Sequence, residues 1–234
     1  MLISDSLDNG RDNENRRNKA NISDIELWCY ALGAVLFEMN GVDFANNYEL
    51  EFTEENDALH RQSLERDWGI DSRETLLDNL NFLDDGGHNV SFMTIRSFLS
   101  ALSASDQQRY IAAIPNATKE YREHRIVQAY MNRLPAAGIA AWDWGRYVNL
   151  CKYGAFLGYI SRQEALELIM PIAVKAQQCY TGWYEYGTSY LIGRQFWWGQ
   201  TTEDSAKRMV EYVHRLMIDA GSPWNRLDWN MSLN

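Results

Sequence analysis

Cysteine is scarce in this chain of 234 residues: Cys29, Cys151 and Cys179 are odd in number, far apart and set in apolar helical patterns. That excludes a disulfide or metal-binding framework and reads as three reduced core thiols in a cytoplasmic protein. A hydrophobic run long enough to cross a bilayer is missing too, because the most apolar stretch, 136–159, is interrupted by Asp143, Arg146 and Lys152. The opening Met1-Leu2-Ile3-Ser4-Asp5-Ser6 has neither the basic end nor the apolar centre of a secretory signal. No membrane partner is expected. Surplus basic charge is absent: 22 Lys and Arg stand against 32 Asp and Glu. Without cations to neutralise phosphates, nucleic acid is not an expected partner either.

Catalytic signatures are also missing. His60, His88, His124 and His214 are scattered, with no His-Glu-x-x-His among them. The single Glu211-Tyr212-Val213-His214 falls short of a di-iron helical bundle, which requires that motif twice plus two more Glu from other helices. Gly187-Thr188-Ser189-Tyr190-Leu191 carries Leu where a nucleophile elbow needs its second Gly. Neither a phosphate-binding loop nor a dinucleotide fingerprint occurs. The sequence therefore nominates no catalytic residue, no metal site and no cofactor.

What is present is helical grammar. Ser23-Asp24-Ile25-Glu26 reads as a capping box, with Ile25, Trp28, Cys29, Leu32, Val35, Leu36 and Met39 on one face up to a stop at Asn40-Gly41. Thr53 opens an acidic helix to about Asp67, and Asp71-Ser72-Arg73-Glu74 opens one to Leu83, before a loop at Asp84-Asp85-Gly86-Gly87. Further helices are predicted over 91–102, 105–114, 117–134, 136–159, from Ser161 onward with Pro171 inside, and over 202–220. Strand alternation is absent apart from an ambiguous stretch at 184–192, and no 20- to 50-residue repeat is found. The prediction is an all-α fold, a single compact multi-helix domain over 23–234. Residues 1–22, rich in Asn and poor in apolar side chains, read as a disordered polar tail.

Charge is distributed unevenly. Between Asp43 and Asp85, thirteen carboxylates face only Arg61, Arg66 and Arg73, so this segment carries the whole net charge of −10. Carboxylate pairs such as Glu54 with Glu55 and Asp84 with Asp85 read as a solvated face, since tuning an acid/base pair requires burial.

The opposite situation arises in Ala141-Trp142-Asp143-Trp144-Gly145-Arg146 and in Tyr190-Leu191-Ile192-Gly193-Arg194-Gln195-Phe196-Trp197-Trp198, where charge is embedded among apolar residues. Trp142, Arg146, Asn149 and Tyr153 share a helical stripe, with Asp143 three residues before Arg146. Two readings fit. One is an internal network in which Asp143 accepts from Arg194 or Arg146. The other is a ligand pocket bounded by Asp143, Arg146, Asn149 and Arg194 with Trp142, Trp144, Trp183 and Trp197 as walls. Glu185, near Trp183, suits either.

These same residues carry a resemblance. Ala141-Trp142-Asp143-x-Gly145-Arg146-x-x-Asn149-Leu150, then Gly158-Tyr159-Ile160-Ser161-x-x-Glu164-Ala165, Trp183-x-Glu185 and Ser189-Tyr190-x-x-Gly193-Arg194-x-Phe196-Trp197 resemble a bacterial family of unknown function, that of the YbeU and YbeR proteins. Leu32-Gly33-Ala34-Val35-Leu36 and Leu64-x-x-Asp67-Trp68-Gly69-Ile70 extend the likeness over roughly 26–199. The resemblance implies a bacterial, cytoplasmic, helical domain and no particular reaction. The acidic segment and the tail from Trp224 fall outside its pattern.

Composition then favours a non-catalytic protein-binding domain: an immunity protein that neutralises a cognate bacterial toxin with a basic surface. Docking would use an acidic face of Glu51, Glu54, Glu55, Asp57, Asp84 and Asp85, or an apolar patch around Trp224 and Trp229. The alternatives are an enzyme or small-molecule binder using Asp143, Arg146 and Arg194, and a scaffold protein.

Overall fold

Hydroxyl side chains start most of the helices. Ser23 accepts the N–H of Glu26, Thr53 that of Asn56, Ser72 that of Thr75, Ser103 that of Asp106, Thr118 that of Tyr121 and Ser161 that of Glu164. Each such cap is worth about 1 kcal/mol. The computed structural model describes residues 22–41, 53–199 and 203–233. In chain order it contains α1 (Asp24–Ala31), α2 (Ala34–Met39), α3 (Glu54–Trp68), α4 (Arg73–Asn81), a π-turn (Phe82–Gly86) and α5 (His88–Ser100). Then follow α6 (Ala104–Ala113), α7 (Lys119–Tyr130), α8 (Ala140–Phe156), α9 (Arg162–Cys179), α10 (Trp183–Trp198), α11 (Glu203–Ile218) and α12 (Pro223–Arg226). No strand occurs among the described residues, and the fold is all-α. The ambiguous stretch 184–192 lies inside α10. Residues 1–21, which form nearly all of the segment read as a tail, lie outside the described residues.

Helix α8 is the axis of the molecule. Every residue from Ala140 to Gly154 is buried, the polar Asp143, Arg146, Asn149 and Lys152 included. Helices α9 and α10 flank it, and α1, α2, α4 and α5 complete the enclosure. Close approach of α10 needs glycine: a Cβ on Gly145 would come within 2.7 Å of the Tyr190 ring, and one on Gly193 would overlap Trp142. A smaller apolar cluster of Phe92, Leu99, Ile111, Val127 and Phe196 joins α5, α6 and α7 to the far end of α10.

Several elements depart from the sequence reading. The first predicted helix is interrupted at Leu32-Gly33, separating α1 from α2. Three successive carbonyls there accept from side chains of other helices: Ala31 from Trp224 Nε1 at 2.8 Å, Leu32 from the Tyr186 hydroxyl at 3.0 Å and Gly33 from Asn149 Nδ2 at 3.0 Å. Ser23 caps α1, but Glu26 does not complete the box; its carboxylate accepts from Tyr30 and Arg162. Asp84 to Gly86, read as loop, belong to the π-turn. Cys29 and Cys151 are core thiols, whereas Cys179 is exposed.

The C-terminal tryptophans are not a docking patch. Trp224 and Trp229 are 3% and 4% exposed and cluster with Trp28 and Trp183. Gln177 holds the segment in place, donating to the carbonyls of Trp229 and Met231 at 2.6 and 3.0 Å.

Candidate ligand-binding cleft

The centre of the site is a carboxylate that serves two helices. Asp143, in the first turn of α8, accepts the backbone N–H of His88 at 3.1 Å and of Asn89 at 2.8 Å. It thus caps α5 from outside, where the residue before the helix, Gly87, has no side chain to do so. This is why α5 begins at His88, three residues ahead of the predicted Ser91. A Cβ on Gly87 would run into the same carboxylate. Arg146 Nη2 donates to Asp143 Oδ1, and its Nε donates to the Trp142 carbonyl at 3.2 Å. Arg146 Nη2 also meets His88 Nδ1 at 3.0 Å.

Burial alone would push Asp143 up, but the adjacent His88, the Arg146 charge and the two N–H groups outweigh it and hold the carboxyl below its ordinary value. Burial lowers Arg146, opposed by Asp143. Both groups stay charged at neutral pH. The guanidinium lies 4.5 Å from the centre of the Trp142 ring and 5.4 Å from that of Trp68.

Beside this pair lies a cleft of about 1060 Å³. The stripe Trp142, Arg146, Asn149 and Tyr153 of α8 forms its floor. Helix α3 contributes Leu59, His60, Leu64 and Trp68, the π-turn contributes Phe82, and α10 contributes Arg194, Trp197 and Trp198. Trp197 packs on Trp142 with ring centres 5.7 Å apart. Burial lowers His60 despite nearby Asp57, so at neutral pH it presents an uncharged ring. Arg66 and Asp67, also lining the cleft, are paired with each other.

Arg194 has a different environment from the one the sequence suggested. It is half-buried and does not reach Asp143; among the described residues it has no ion pair or hydrogen bond, and its guanidinium lies 5.8 Å from the centre of the Trp198 ring and near enough to Tyr190 to act on it electrostatically. Glu185 lies outside the cluster as well, accepting from the backbone and hydroxyl of Thr181 at the start of α10. Trp144 and Trp183 are not walls of the cleft: Trp144 packs on Tyr180, and Trp183 belongs to the Trp28–Trp224–Trp229 cluster. Helical spacing gives the face of a side chain but not the neighbour which that face meets. The sequence reading missed Leu59, His60, Trp68, Phe82, His88 and Trp198. The clearest available signal was Trp68, an aromatic closing an otherwise acidic helix.

The acidic residues divide. Glu54, Glu55 and Asp57 occupy the first turn of α3, where carboxylates complement the helix dipole, and Asp57 pairs with Arg61 at 2.8 Å. Asp84 accepts from Lys175 of α9 at 2.5 Å, while Asp85 is exposed. Glu51 lies outside the described residues. Among the described residues no group of three or more His, Cys, Asp or Glu side chains is placed to hold a metal ion. No helix among them is long and apolar enough to cross a membrane.

Two Escherichia coli K12 proteins are similar to this chain. Uncharacterized protein YbeR is 28% identical over 157 residues, 67% of this chain and 65% of the relative. Uncharacterized protein YbeU is 26% identical over 142 residues, 61% of this chain and 60% of the relative. The chain thus spans less than two thirds of the length of either. No solved structure matches it. Residues 63–229 match a family described as a protein of unknown function, DUF1266. That range begins later than the likeness read from the sequence and takes in Trp224 and Trp229, which the sequence reading had left outside the family pattern. The chain belongs to the DUF1266 family.

Proposed function

We propose that this protein is a cytoplasmic binding protein whose functional element is the cleft, and that the cleft takes a small anion with a flat apolar body. The observation that carries this is the charge balance at the cleft. Arg66 is paired with Asp67 and Arg146 with Asp143, which leaves the Arg194 guanidinium without a counter-charge among the described residues. A guanidinium held against aromatic rings is weakly hydrated and matches carboxylate or phosphate geometry. The indoles of Trp142, Trp197 and Trp198 and the rings of Tyr153 and His60 supply a surface for a planar body. A volume of about 1060 Å³ is at the upper end for small-molecule sites. Calorimetric titration with 2-naphthoate and its neutral amide tests the reading. The acid should bind at least about tenfold more tightly than the amide, the worth of one charged hydrogen bond; equal affinities would refute an anion site.

A second reading rests on a separate observation. Glu54, Glu55, Glu65, Glu74, Asp78 and Asp85 are exposed and, among the described residues, form no ion pair. Unpaired surface carboxylates suit a basic protein partner, and a toxin neutralised by an immunity protein is the partner we propose for them. Charge reversal at Glu54, Glu55 and Asp57 should then slow association with a toxin encoded beside this gene and remove protection. Unchanged kinetics and full protection would eliminate the acidic face.

A further inference from the structure

The cleft has two chemically different ends, and the run of its walls fixes which residues belong to each. Helix α3 lies antiparallel to α8 along it. His60, midway along α3, packs on Tyr153 in the last turn of α8 with ring centres 4.8 Å apart. Trp68, the last residue of α3, has its ring centre 5.4 Å from the guanidinium of Arg146, about two turns nearer the start of α8. Helix α2 sits at the Tyr153 end: Phe37 packs on the Tyr153 ring at 5.7 Å, and Asn40 Nδ2 donates to the Tyr153 hydroxyl at 3.5 Å. Helix α10 sits at the other end, where Trp197 packs on Trp142.

Charge collects at the α10 end. Arg146 on the floor, Arg66 and Asp67 beside Trp68, and Arg194 on α10 all line the cleft there. The Arg146 and Arg194 guanidinium groups both act electrostatically on Tyr190, which places the two cations at the same end. The α2 end is aliphatic. Leu36 and Met39, half-buried on α2, and Leu59, 54% exposed on α3, line it beside the rings of Tyr153 and His60. Among the described residues the lining of this end carries no charge at neutral pH, because burial lowers His60 and the other polar groups, Asn40 and Ser63, are neutral. From Trp142 to Tyr153 the floor runs eleven residues, roughly 16 Å at the helical rise, which is longer than two fused rings reach.

Resting on the anion-cleft reading above, we propose that the ligand is an anionic amphiphile with an unbranched alkyl tail at the end opposite its charge. The anionic group lies at the Arg194 end, the flat body rests against Trp197 and Trp198, and the tail runs along α8 to the aliphatic end, where Leu36, Met39 and Leu59 take it out of water. An alkyl-substituted aromatic carboxylate has this chemistry.

Calorimetry on the full chain would compare 2-naphthoate with its 6-ethyl, 6-butyl and 6-hexyl derivatives, each below its micelle concentration. Affinity should rise about fourfold per methylene, the worth of transferring it from water to an apolar surface. Leu59→Ser and Met39→Ser remove apolar lining at the tail end alone. Each should weaken 6-hexyl-2-naphthoate about tenfold and leave 2-naphthoate unchanged. Leu59 is more than half exposed, so its variant tests the site without touching the core. Dodecanoate has the charge and the chain without the ring and should bind more weakly than 6-hexyl-2-naphthoate; tighter binding would strike the flat body from the proposal. Equal affinity across the series, or an alkyl gain that survives both variants, would overturn this inference and leave the anion site standing. Equal affinities of 6-hexyl-2-naphthoate and its neutral amide, with the alkyl gain intact, would overturn the anion site and leave the tail site. Failure of every compound to bind would overturn both.

Discussion

The carboxylate of Asp143 accepts the backbone N–H of Asn89 at 2.8 Å, so a residue in the first turn of α8 closes the start of α5. The same side chain neutralises Arg146, 6% exposed on the cleft floor. Asp143→Ala should therefore cost about 3–5 kcal/mol by stranding a buried guanidinium and uncapping a helix. Asp143→Asn, which can still accept from the amides, should cost less. Urea denaturation measures both, and a loss below about 1 kcal/mol for the alanine variant would show that the pair is not coupled to the fold.

The pair also sets an acid limit. The Asp143 carboxyl is held below its ordinary value of 3.8 in the folded protein. Its contribution to stability is thus complete above 3.8 and is lost as pH falls through the lower folded value. The stability gap between wild type and Asp143→Asn should be constant near neutrality and narrow only in strong acid. A gap that narrowed between pH 7 and 5 would place the responsible proton elsewhere.

Local features were legible in the sequence and long-range ones were not. Ser72 and Ser161 announce their helices because a cap needs only residues three positions away. Asp143 and Arg146 could be paired because they share one helix face. That Asp143 also caps α5 depends on how α5 approaches α8, and the interruption at Leu32-Gly33 depends on Tyr186, Asn149 and Trp224, all more than a hundred residues away. The same gap explains the cleft: its α8 stripe follows from spacing, whereas Trp68, His60 and Phe82 reach it only through the placement of α3 and the π-turn.

Helix α10 approaches α8 closely where position 193, like position 145 across from it, lacks a side chain. Gly193→Ala should destabilise by about 1–3 kcal/mol through overpacking against Trp142. Gly182→Ala is the control: nothing lies within 4 Å of a Cβ there and its backbone is extended, so the change should stay within about 0.5 kcal/mol. Thermal melts of the two variants check the difference, and similar losses would deny the close contact.

Thiol titration checks the burial pattern independently. Burial, helped by Glu26, pushes the Cys29 thiol up to about 12, and burial pushes Cys151 up as well. Cys179 is exposed. A disulfide reagent should label one thiol promptly in the native protein and the other two only on unfolding. Prompt labelling of all three would contradict the core described.

The central claim, that the cleft binds an anion through the uncompensated guanidinium of α10, is tested most directly by calorimetry of 2-naphthoate with wild type and Arg194→Ala. Arg194 makes no ion pair or hydrogen bond among the described residues, so the variant should keep its urea midpoint. Its dissociation constant should rise by at least about tenfold, reflecting loss of a charged hydrogen bond. An unchanged dissociation constant in a folded Arg194→Ala protein would contradict the account.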